Sequence, residues 1–310
     1  MGVRIAFLGD TLLGGQGQRT LERHGYAQAL DGLAPVLAGA DLVVANLEGP
    51  ITRRDLPSRK VEEGRRRWWY RALPESVSAL ADAGIGVVSL ANNHVCDFGT
   101  EGLADTIAAL DAAGIAHCGA GVDEQAAGAR VTVNLGGLRV GFHSAMQHYD
   151  LYEAESLYAA ADRAGPYRLR PDDLSVLDGA DVRVALVHWG RTYRAVTDRQ
   201  RRLGAALVGA GADLVVGTHP HVVQPLELVY GRPVLYSIGN GAFGTRGRFA
   251  RRGWAPHGLV ATAELDDDGR ITLVELQVID VDNRRHGYRP VPVGARQTMR
   301  MPRRTAGSGT

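Results

Sequence analysis

The chain has 310 residues, 35 basic and 34 acidic, and its formal net charge of +1 excludes the basic excess of a dedicated nucleic-acid or anionic-membrane binder. An apolar fraction of 45% and a charged fraction of 22% describe a globular protein able to bury a core without staples, in one large domain or two small ones. Two cysteines, Cys96 and Cys118, exclude a disulfide scaffold and a structural zinc cluster. A single lysine, Lys60, stands among thirty-four arginines, so Schiff-base chemistry would rest on it alone, and no Gly-Lys-Ser/Thr phosphate loop exists. No Gly-x-Ser-x-Gly elbow is present. Apolar runs fall short of the roughly 20 residues that cross a bilayer. The N-terminus turns polar too soon for a secretory signal, so the expected location is the cytoplasm.

In chain order, residues 3–8, 41–46, 86–90, 138–144, 182–187 and 213–216 read as strands. Between them, residues 26–38, 74–83, 102–113 and 199–209 carry helical periodicity, several ending in Ala-Gly with the glycine as C-cap. This alternation predicts α/β architecture with buried, largely parallel strands. Near residue 230 the pattern changes: 233–238, 258–265 and 271–281 read as strands without helices between them. The turn Asp266-Asp267-Asp268-Gly269 joins the last two, which predicts a second, antiparallel sheet in the C-terminal third. Segments 53–69 and 147–171 read as long loops. The expected organisation is one domain over 1–285 and a loosely ordered tail over 286–310.

Polar residues that can bind metal follow the predicted strand ends: Asp10; Asn46 and Glu48; Asn92, Asn93, His94 and Asp97; His188; His219 and His221. Each has a plain structural alternative. Asp10 can cap a helix, Asn46 and Glu48 can shape a turn, and a lone His188 can sit in a core. His219-Pro220-His221 is harder to set aside, because it can present two imidazoles to one point. In an open α/β sheet the carboxyl ends of the strands line the ligand crevice. Five such ends bearing carboxylate, amide or imidazole therefore favour a metal site. Oxygen and imidazole donors without thiolate suit Mn, Fe, Zn or Mg. Two ions sharing a carboxylate, roughly 3.5–4 Å apart, would clamp both oxygens of a phosphoryl transfer. Gly14-Gly15-Gln16-Gly17 fails the dinucleotide spacing.

Together, Gly9-Asp10, Asn46-Leu47-Glu48-Gly49-Pro50, Ser89-Leu90-Ala91-Asn92-Asn93-His94, Asp97-Phe98-Gly99, His188-Trp189-Gly190, His219-Pro220-His221-Val222 and Tyr236-Ser237-Ile238-Gly239-Asn240 resemble the CapA family. These are the capsule-synthesis (poly-γ-glutamate) proteins of the calcineurin-like metallophosphatase superfamily, and the likeness spans about residues 3–265. It implies a four-layer α-β-β-α sandwich of the metallo-dependent phosphatase type, with mixed sheets and a metal centre at the sheet edge. By resemblance Asp10, Glu48, Asn93, His188, His219 and His221 are metal ligands and His94 is the acid/base. Asp97 then orients His94 or one of the ligands, while Asn46, Asn92, Arg191 and Asn240 line the substrate space. Three departures stand out. Leu12 replaces the histidine of the superfamily's Asp-x-His, Arg191-Thr192-Tyr193 lacks the family's glutamate, and Gly239-Asn240-Gly241 replaces Gly-Asn-Phe.

These features lead first to a phosphoesterase-like hydrolase that uses one or two divalent ions, a metal-bound water and His94. A second expectation is a metal-dependent peptide epimerase that moves a Cα proton, as in lasso-peptide maturation. A third is a non-catalytic capsule assembly factor, with the Arg-rich 53–71 stretch drawing poly-γ-glutamate. The expected partner is a small molecule or peptide, with poly-γ-glutamate as a further candidate and no nucleic acid. Trp68-Trp69-Tyr70 reads as packing, with a stacking platform as the alternative.

Overall fold

The computed structural model describes residues 2–58, 68–171, 174 and 177–302. The strands begin with β1 (Val3–Leu12), β2 (Leu42–Leu47), β3 (Ile85–Ser89), β4 (Ala116–Cys118), β5 (Ala120–Gly121), β6 (Val131–Leu135) and β7 (Leu138–Met146). They continue as β8 (Gly165–Pro166), β9 (Val182–His188), β10 (Leu214–Thr218), β11 (Leu226–Val229), β12 (Arg232–Leu235) and β13 (Asn240–Phe243). The last four are β14 (His257–Leu265), β15 (Ile271–Asp280), β16 (Val291–Pro292) and β17 (Gln297–Arg300).

A nine-stranded sheet runs β16-β15-β14-β1-β2-β3-β4, with β13 on the end of β1 and β17 beside β15. A six-stranded sheet runs β11-β12-β10-β9-β7-β6. Both are mixed. β1 through β4 are parallel while β14 and β15 are antiparallel; in the second sheet β12, β10, β9 and β7 are parallel between antiparallel edges.

The alternation along β1 shows how the layers stack. Ile5 and Phe7 pack with Val140, Phe142, Val184, Leu186, Leu214 and Val216 of the second sheet, forming the core between the sheets. Ala6 and Leu8 face the other way, onto Leu21, Leu80, Leu103 and Leu110 of the helices Gln18–His24, Val77–Asp82 and Gly99–Ala112. On the far side, Ala185, Val187, Val215 and Val234 pack against Leu207 and Val208 of the helix Asp198–Gly209. The result is the expected four-layer α-β-β-α sandwich. Each fully buried aliphatic side chain contributes about 1.5–3 kcal/mol of transfer free energy.

Four expectations need correction. The C-terminal strands do not form a separate antiparallel sheet: β14 pairs along β1 and extends the first sheet, because both edges of that central strand are open to pairing. The helix expected over 26–38 is two short ones, Gln28–Asp31 and Ala34–Leu37. Gly32 divides them, and a Cβ there would lie 2.2 Å from the Pro290 carbonyl oxygen. The tail expected from 286 is held on the first sheet by β16 and β17 as far as Arg300, while 303–310 lie outside the described residues. The loop expected over 147–171 contains the helix Asp150–Ala154 and β8. Lys60 and the centre of the 53–69 segment lie outside the described residues.

Gly9 sets the geometry of the first strand end. The Asp10 N–H donates to the Gly239 carbonyl at 3.1 Å, and a Cβ on Gly9 would sit 1.9 Å from that same oxygen. Only a residue without a side chain admits this approach.

Candidate metal centre

The pairing register of β1 shifts between Leu8 and Asp10, leaving Asp10 opposite Asn46 on one side and Asn240 on the other. The Asn46 Nδ2 donates to Asp10 Oδ1 at 2.8 Å. Beyond β2, the Glu48 N–H donates to the Thr11 carbonyl at 2.9 Å. Asn92 ties the third strand end to the second: its Nδ2 donates to the Leu47 carbonyl at 2.8 Å, and its Oδ1 accepts the His94 N–H at 3.1 Å. Asn46 and Asn92 thus brace the strand ends that carry the carboxylates.

Two triads result. Glu48, His188 and His219 form one, and Asp10, Glu48 and His221 the other; within each, the candidate ligating atoms lie within 4.8 Å of one another. Asp10 and Glu48 are fully buried, a costly position for charge unless a cation joins them. His221 approaches both, Nδ1 at 3.0 Å from Asp10 Oδ2 and Nε2 at 3.8 Å from Glu48 Oε1. Its Nδ1 is also 2.9 Å from Asn240 Oδ1. His188 places Nε2 2.9 Å from Asn93 Oδ1 and Nδ1 3.2 Å from Thr218 Oγ1. His219 and His221 both adopt positive φ, 94° and 57°, a strained backbone that aims two imidazoles from one short turn.

Burial pushes His188 well below the ordinary histidine range, helped by the neighbouring His219, His221 and His94. Burial likewise pushes His219 down to about 3, reinforced by His221 and opposed by Asp10. Both are neutral near pH 7 and offer lone pairs to a cation. His219 Nδ1 is buried with no hydrogen-bond partner among the described residues. Neutral imidazoles, buried carboxylates and this orphaned nitrogen fit a divalent ion.

The structure therefore gathers Asp10, Glu48, His188, His219 and His221, and joins Asn93 to them through His188. His94 Nδ1 meets Asp97 Oδ2 at 2.8 Å, and that oxygen also accepts the Tyr70 N–H at 2.6 Å. Arg191 is exposed and makes no hydrogen bond to the cluster among the described residues; its charge reaches Tyr149. Leu12 is fully buried in the helix-side core and brings no donor to the second triad.

Three tyrosines stand at the centre without a sequence signal that puts them there. The Tyr70 ring lies 4.3 Å from that of His94, and burial together with Glu48 raises its phenol. The Tyr149 hydroxyl donates to the Gly190 carbonyl at 2.6 Å, with its ring 6.0 Å from His219. The Tyr193 N–H donates to the Pro220 carbonyl at 2.8 Å, with its ring 5.9 Å from His221.

Fold and site together define a two-sheet α/β protein with a buried carboxylate–imidazole cluster that can hold a divalent metal. A family model described as "Bacterial capsule synthesis protein PGA_cap" matches residues 4–245, and the chain belongs to that family. It is 30% identical to the capsule biosynthesis protein CapA of Bacillus anthracis over 77% of this chain and 59% of that one. With the PGA biosynthesis protein CapA of Bacillus subtilis it shares 29% identity over 77% of this chain and 62% of that one. The chain thus spans about three fifths of the length of these relatives. A probable polyglutamine synthesis accessory protein of Mycobacterium tuberculosis is 33% identical over 64% of this chain and 55% of its own. Among solved structures, a hypothetical protein from Thermus thermophilus aligns with 97% of this chain and 100% of its own at 19% identity and a TM-score of 0.49. Among the described residues, no helix is long and apolar enough to cross a membrane.

Proposed function

We propose that this chain is a metal-dependent hydrolase of phosphoester bonds. The observation that carries the reading is Glu48, shared by two buried triads with the His94–Asp97 pair close by. Asp10, Glu48, His188, His219 and His221, with Asn93, would hold one or two ions of Mn, Fe, Zn or Mg. When bound, such ions supply Lewis acidity and lower the pKa of water toward neutral. The chain's own residues supply the rest. Asp97 holds His94 through Nδ1, which leaves Nε2 to hand a proton to the departing oxygen. Tyr70 fixes Asp97 through its backbone N–H and covers the His94 ring.

The test is turnover of an aryl phosphate and an aryl phosphodiester with added Mn. His94→Gln should lower kcat by roughly 10²–10⁴ while leaving metal content unchanged. Full turnover by that variant, or none by the wild-type protein with any of the four metals, would sink the reading. The relatives' names, capsule and polyglutamine synthesis, favour a peptide or polymer substrate. They keep epimerisation at a peptide Cα as the second reading, identified by deuterium uptake from heavy water without bond cleavage.

A further inference from the structure

Beside His221 opens a cleft of about 660 Å³ whose wall includes Arg246, Arg248, Arg251, Arg284 and Arg285. Asp282 is the one carboxylate among its described lining residues, and its side chain already accepts the Arg284 N–H at 3.0 Å. Arg285 is neutralised by Asp280 at 2.6 Å. The other four guanidinium groups have no ion-pair partner among the described residues. Some arginines elsewhere are matched, as in Arg54–Asp105, Arg201–Glu227 and Arg232–Asp213, and others are single and scattered; the cleft differs in gathering four in one place. A protein of net charge +1 has thus collected four uncompensated cations in one concavity.

Exposed arginines are often merely solvated. Arg248 is mounted. The Arg248 guanidinium lies 5.1 Å over the Tyr193 ring, and the Tyr193 hydroxyl accepts the Arg248 backbone N–H at 2.9 Å. Trp254 Nε1 donates to the Tyr193 carbonyl at 3.1 Å. Tyr193 in turn grips Pro220, between His219 and His221, so Arg248 is fixed in place relative to the second triad, with Arg246, Arg251 and Arg284 exposed around it.

We infer that this cleft seats an anionic arm of the substrate carrying two or more negative groups, which reaches the centre from the His221 side. The inference rests on the triads being the reaction site. Planar guanidinium forks suit carboxylate and phosphate oxygens alike, so the arm is a chain of either.

The experiment uses the metal-free full chain, with tripolyphosphate, hexaglutamate and neutral hexaglutamine as probes read by calorimetry. At least one anion should bind, hexaglutamine should not, and the anion that binds tells phosphate from carboxylate. Arg246→Gln/Arg251→Gln/Arg284→Gln should weaken binding about tenfold and keep wild-type Mn uptake, while Arg202→Gln, exposed outside the cleft, should change nothing. Failure of both anions to bind, wild-type affinity in the triple variant, or equal binding of hexaglutamine overturns the inference. Absent Mn uptake with intact anion binding would fault the triads instead.

Discussion

The two triads share Glu48 and differ in almost everything else. The His188–His219 side has two imidazoles and an amide oxygen from Asn93, closed over by Tyr149. The Asp10–His221 side has one imidazole, the apolar Leu12 two residues beyond Asp10, and an open cleft beside it. Donor number and enclosure favour tight binding on the first side, whereas openness favours exchange and substrate entry on the second.

Removing the common member should have the largest effect. Glu48→Gln should weaken metal uptake at both triads by about 100-fold, measured by titration with Mn and elemental analysis; unchanged content would break the picture of a shared ligand. A smaller, asymmetric effect should separate the sides. His188→Ala should abolish the tighter phase of a Mn titration and His221→Ala only the weaker one, and equal losses would erase the distinction. The smallest effect concerns protons. His188 and His219 have depressed values when folded, so below about pH 6.5 the unfolded chain takes up protons that the folded chain refuses. Metal-free protein should therefore lose stability as pH falls below about 6.5. Calorimetric melting in chelator at pH 7.5, 6 and 5 checks this, and a constant Tm would contradict it.

Much of the centre was legible because parallel strands deliver their carboxyl ends to one edge, so polar residues after apolar runs at Asp10, Glu48, His188 and His221 could be read in order. The four layers were implied by the family likeness, the alternation by itself giving only an α/β architecture with largely parallel strands. Tyr70, Tyr149, Tyr193 and the arginines of the cleft could not be read this way. The tyrosines come from loops with no period, the arginines from loops and two four-residue helices, Phe249–Arg252 and Asn283–His286, and all are brought to the centre only by tertiary packing. The attachment of β14 to β1 was hidden for a related reason, since a strand's sequence records its faces and not which edge it will join. The interrupted helix at Gly32 depended on the Pro290 backbone, more than two hundred residues away.

Gly9 extends this lesson to mutation. Any side chain there would push the Gly239 carbonyl outward and carry Asn240, the neighbour of His221, along with it. A position that contributes no functional group thus acts as a spacer whose thickness tunes the more open half of the centre, and even alanine would be too thick.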